Sequence, residues 1–165
     1  MHLINIPIVE LVLGSISFII IMAFGLAVYF KNPKSHTNIL FFALAIVLSA
    51  YIVSTAIALH PIVKTAENSL FWIRMDMFLG SFIASLLFLL AHTVPQPKIR
   101  LKRKFLFATI FYTLLMAVLS FTYLIFKSVI YSGNTANPIP IPGHGMPLYS
   151  IHVIGYFGAS FIILI

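Results

Sequence analysis

The chain has 165 residues, of which 61% are hydrophobic and 8% charged, with a mean hydropathy of +1.10. A soluble domain carries about a quarter of its residues as charged side chains, so there is too little polar surface here to wet a sphere, and a cytoplasmic enzyme, a disordered tail and a nucleic-acid-binding domain are excluded. The net charge of +7 fits anionic headgroups better than phosphate tracking, because Lys and Arg cluster in short gaps between apolar runs.

A membrane-crossing helix needs about 20 apolar residues. Five runs meet or approach that length: 7–30, 37–60, 68–94, 105–126 and 149–165. They lack the period-two alternation of an outer-membrane barrel, so the expected fold is all-α, a polytopic transmembrane bundle of about five spans. The first run follows a start without Lys or Arg, has Glu10 at its head and then continues from Leu11 to Phe30 without a formal charge. A secretory signal has a basic start and a shorter apolar centre, so this run reads as a retained helix.

The connectors set the expected orientation. Lys31 and Lys34 follow the first span, and Lys98, Arg100, Lys102, Arg103 and Lys104 follow the third, against Lys64, Lys127 and Arg74 on the other side. The positive-inside rule then places the N-terminus outside. The 127–148 segment becomes the long outer loop. Its stretch NTANPIPIPGHGMP, from Asn134 to Pro147, removes backbone donors and fixes φ, so an extended, irregular strap over the bundle mouth is expected. The fifth run stops at Ile165 without a flanking cation, which reads as a longer protein cut in mid-helix.

Charge inside the bilayer is the best pointer to function. Arg74 and Asp76 lie in the outer half of the third span. Two residues apart on a helix is about 200° of rotation, so they do not pair. A long Arg can snorkel to the headgroups but a short Asp cannot, and Asp76 is expected to face the interior on a stripe with Trp72, Gly80 and Ala84. Glu10, His60 and His152 reach the same level from other spans, and Glu67 from just before the third. The expectation is an outward-facing pocket for a small polar or amphipathic ligand, with Asp76 and Glu10 as acceptors and Arg74, His60 or His152 as donors.

Other chemistry finds little support. The chain has no Cys, so disulfides, thiolate metal sites and cysteine nucleophiles are out. His36 and His92 fall on one side and His60, His144 and His152 on the other, without companions at ligand spacing. No phosphate loop or Ser/His/Asp arrangement can be placed. Neither metal, cofactor nor catalysis is expected.

Three stretches carry a family resemblance: SHTNILFFALAIVLSAYIV, opening span two with Asn38; SLFWIRMDMFLGSFIASLLFLLAH, with Phe71, Trp72 and Arg74 at its start; and PGHGMPLYSIHVIGYFG leading into span five. Together they resemble the N-terminal seven-transmembrane sensor region of bacterial histidine kinases, also found on diguanylate cyclases. The resemblance covers nearly the whole chain but about five of seven helices. It implies a sensory input module in the bacterial inner membrane, outside N-terminus first, that hands a signal to a cytoplasmic output domain. It supplies no catalytic residues; Trp72, Arg74 and the Gly143–Tyr149 segment match its pattern. The expected partners are the lipid bilayer, a second copy of the chain and a small ligand at the outer half. The competing expectation is a small transporter or membrane-complex subunit with Asp76 and Arg74 in a polar pathway.

Overall fold

The computed structural model describes residues 6–60, 65–94, 101–131 and 138–165. Five helices dominate: α1 (Ile6–Lys31), α2 (His36–Leu59), α3 (Ala66–Ala91), α4 (Arg103–Ser120) and α5 (Met146–Leu164). All five are long and apolar enough to cross a membrane. The described prolines fall where a helix tolerates them. Pro7 and Pro147 sit in first turns, Pro33 lies between α1 and α2, and the others stand outside the helices. Thr65 caps α3 by accepting from the Asn68 N–H, satisfying one of the orphan donors at the helix start.

Packing centres on α3, against which α2, α4 and α5 all lie, whereas α1 packs chiefly on α2. Close approach is permitted by small residues rather than driven by burial, as expected where lipid is as apolar as the side chains. A methyl group at Gly25 would lie 2.5 Å from Ala45 Cβ, which marks the tight crossing of α1 over α2. Asn38 reinforces that end by donating from Nδ2 to Val28 O at 2.7 Å. Large apolar side chains such as Phe24, Phe111, Ile154 and Ile162 project outward, as a lipid-facing surface requires. These features make the chain a multi-pass helical membrane protein, and it is expected to need detergent or lipid to stay monodisperse. Sedimentation of purified chain in plain buffer checks this.

The segment after α4 departs from the sequence expectation in two ways. The fourth helix ends at Ser120 rather than running to Phe126, because Thr122 turns its hydroxyl on the local backbone: Oγ1 donates to Leu119 O at 2.7 Å and accepts from Leu124 N–H at 3.3 Å. Such local bonds compete with the helical ladder. The expected irregular strap is in part a regular hairpin. Strand β1 (Phe126–Tyr131) pairs antiparallel with β2 (Pro138–Pro142), Ile130 opposite Ile139 and Ser128 opposite Ile141, with an irregularity at Lys127. Residues 132–137 lie outside the described residues. Alternation reconciles prolines with a strand: Pro138, Pro140 and Pro142 put their missing donors on one edge, leaving the N–H groups of Ile139 and Ile141 for β1. The outer edge carries no N–H and cannot template another strand.

The hairpin is a cap rather than an appendage. Ile125 and Phe126 are buried in a cluster with Met116 and Tyr149, and Leu70, Ile73 and Met77 of α3 pack on it. The turn into α5 is held by Gly143 N–H to Ile125 O and Gly145 N–H to Leu124 O, both 2.7 Å.

Candidate functional site

Helix direction alternates, so the starts of α1, α3 and α5 and the ends of α2 and α4 share the hairpin end of the bundle. Lys31, Lys34, Lys102, Arg103 and Lys104 occupy the opposite end; Lys64, Lys98 and Arg100 lie outside the described residues. All three acids of the chain, Glu10, Glu67 and Asp76, fall in the hairpin half. The two ends therefore differ sharply in charge.

The six polar residues singled out from sequence do not converge on one cavity. Glu10 and His60 do meet, with Oε2 2.9 Å from Nε2 across the α1–α2 seam, and both are solvent-accessible. Asp76 faces inward as expected and is 9% exposed, between α3 and the Ser54 and Thr55 hydroxyls of α2. The Trp72 carbonyl, one turn before it, accepts from Ser54 Oγ at 3.4 Å. Arg74 turns the other way and donates from Nη2 to Phe126 O at 2.7 Å. It pins the hairpin to α3 instead of joining the acids. His152 is buried in the α3–α5 interface, its Nε2 3.4 Å from Ser81 O.

Several groups in these interfaces were not anticipated from sequence. Tyr149 donates to Met77 O at 2.7 Å, and a methyl group at Gly80 would lie 2.7 Å from the same hydroxyl. Tyr112 and Tyr156 set their rings 5.1 Å and 4.9 Å from the His152 ring. Ser69 Oγ hydrogen-bonds the Tyr131 hydroxyl. The legible signal was the run of Ser and Thr inside otherwise apolar spans.

How those hydroxyls are satisfied separates packing from site. In apolar surroundings a helical Ser or Thr normally bonds the carbonyl four residues back. Ser15, Ser81, Ser85, Thr113, Ser120 and Ser160 all do so, at 2.6–3.1 Å. Along α2 the rule fails: Ser49 Oγ and Thr55 Oγ1 are buried with no partner, and so is Asp76 Oδ1 across from them. Each such group costs about 1–3 kcal/mol, more if charged. Three of the five buried polar atoms without partners among the described residues thus belong to α2 and the α3 residue facing it; the others are Arg74 Nε and His152 Nδ1.

A cavity of about 220 Å³ lies between α1 and α2 and reaches Thr55, lined by Glu10, Gly14, Tyr51, Thr55 and His60 among others. On its outer flank an apolar groove of about 530 Å³ runs between α1 and α2 past Glu10, Phe18 and Ile57. Among the described residues, no three His, Asp or Glu side chains gather as a metal site. Comparison with family models, curated proteins and solved structures gave no match to the chain.

Proposed function

We propose that the chain is the membrane-embedded sensory input module of a bacterial signal-transduction protein of the histidine kinase type, seated in the inner membrane. The hairpin end faces outward, receives a small ligand, and biases the bundle that drives an output domain on the basic side. The observation that carries this reading is the polar set of the hairpin half: the Glu10–His60 pair at a cavity mouth and an unsatisfied Asp76 in the same half of the bundle. The opposite end offers cationic anchors instead. A ligand transmits a signal only if it binds two bundle states unequally, and α1, attached chiefly through α2, is the element whose position such a ligand would alter.

Reading the open reading frame past the Ile165 codon tests this most directly. Two further spans and a kinase or cyclase domain are expected; a stop codon there would overturn the proposal. In the parent protein, Asp76→Asn is expected to change output at least about fivefold, the lower end of the coupling of roughly 1–3 kcal/mol usual between linked sites, with insertion intact. Orientation has its own check, since the chain has no native Cys. An impermeant maleimide added outside whole cells should label Ser128→Cys and spare Lys34→Cys, and the reverse pattern inverts the topology.

A second reading, a small transporter or membrane-complex subunit, draws support from the polar line of Tyr149, His152 and Tyr156 along α5. This line meets Ser81 of α3 and Tyr112 of α4. Uptake that is lost in His152→Phe, with kinase output untouched, would favour it.

A further inference from the structure

Asp76 presents a charge problem that its surroundings do not solve. A carboxylate deep in an apolar bundle is costly unless paired. Its nearest sequence cation, Arg74, is committed to Phe126 O on the far side of α3. The groups beside Asp76 are oxygens: the Ser54 and Thr55 hydroxyls of α2, with Tyr149 of α5 close enough to interact electrostatically. Asp76 Oδ1 and Thr55 Oγ1 are both buried without partners. Thr55 also lines the cavity that opens beside Glu10 and His60, so one of the two orphan oxygens belongs to a residue that borders a cavity whose mouth carries a second carboxylate.

We propose that Asp76, with the hydroxyls of Thr55 and Ser54, binds one small monovalent cation of the sodium kind, admitted through the α1–α2 cavity past Glu10. Carboxylate and hydroxyl oxygens are hard ligands that suit a hard ion. Charge balance sets the valence. One positive charge neutralises the single carboxylate, whereas a divalent ion would leave a net charge in apolar surroundings. Glu10 at the mouth raises the local cation concentration, and the 220 Å³ cavity has room for several waters, about 30 Å³ each, as an ion sheds its hydration stepwise. This inference deepens the sensory reading by naming its ligand class, and rests on it only for the consequence of binding, not for binding itself.

Trp72 is the only tryptophan and lies one helical turn from Asp76, so intrinsic fluorescence reports on the site. The full chain in detergent is titrated with sodium chloride against N-methylglucamine chloride at constant ionic strength, with unfolding followed in parallel. A saturable sodium-specific fluorescence change is expected, with a Tm rise of about 4 °C or more at sodium about 100-fold above half-saturation. Asp76→Asn should abolish both, and Thr55→Val, which keeps the shape and loses the oxygen, should raise half-saturation at least about tenfold. If Asp76→Asn does not fold, Thr55→Val decides alone. Equal behaviour in both salts, or a sodium response unchanged in Thr55→Val, overturns the site. No sodium response while Asp76→Asn still alters output removes the cation and leaves the sensor. Sodium binding with output unchanged in Asp76→Asn removes the sensory role of this site.

Discussion

Gly143→Ala is expected to cost the protein its hairpin cap, with a loss of at least about 3 kcal/mol, near or beyond the upper range for overpacking a rigid site. The reason is backbone, not side chain. A methyl group at residue 143 would sit 2.2 Å from Leu124 O and 2.5 Å from Tyr123 O, and carbonyls cannot step aside as a flexible side chain can. The two segments are also tied by Gly143 N–H to Ile125 O and Gly145 N–H to Leu124 O, so separating them breaks bonds as well as contacts. Ile125 and Phe126 would be displaced from the core cluster, and the Arg74 bond to Phe126 O would break, leaving a partly buried guanidinium unpaired. Thermal unfolding in detergent reads the effect. Gly158→Ala is the control, because nothing lies within 4 Å of a methyl group there; in the interior of α5 it should cost nothing and add about 0.5–1 kcal/mol of helix propensity. Equal losses in both variants would show that the approach at Leu124 is not what limits residue 143.

The spans were legible because run length decides whether a segment can cross a bilayer, and all five helices lie where the apolar runs fall. The same measure misjudged the end of the fourth span, since the stretch 121–126 is as apolar as a helix and only Thr122 betrays the turn. The hairpin was hidden by its prolines. Read by composition they mean an irregular loop; read by alternation, Pro138, Pro140 and Pro142 leave the pairing edge intact. Helical period was enough to turn Asp76 inward and away from Arg74. It could not supply Arg74's partner, a backbone carbonyl of a strand that composition did not suggest. Shared level brought Glu10 and His60 to one side, but their meeting depends on which helices are neighbours, and that is set by α1 lying on α2.

That neighbour relation rests on a crossing that can be broken and repaired. Gly25→Ala is expected to loosen α1 from α2 by about 1–3 kcal/mol, because the new methyl group would lie 2.5 Å from Ala45 Cβ, with Phe42 also in contact range. The opposing group is itself a methyl on a helix backbone, so the strain can be relieved only by moving the helices apart. Ala45→Gly removes that methyl group, and the double variant Gly25→Ala, Ala45→Gly should recover most of the loss, giving a coupling of at least about 1 kcal/mol in a double-mutant cycle. The effect should reach the far end of the seam. Spreading α1 from α2 separates Glu10 from His60 at 2.9 Å and widens the cavity they guard. A thiol crosslinker offers the readout: bridging of a Glu10→Cys, His60→Cys pair, introduced into the otherwise Cys-free chain, by a short bifunctional thiol reagent that spans the length of the two lost side chains should be slower on the Gly25→Ala background and restored with Ala45→Gly. Unchanged crosslinking would mean that α1 pivots about Gly25 without moving its other end, and that the cavity mouth is set independently of the crossing.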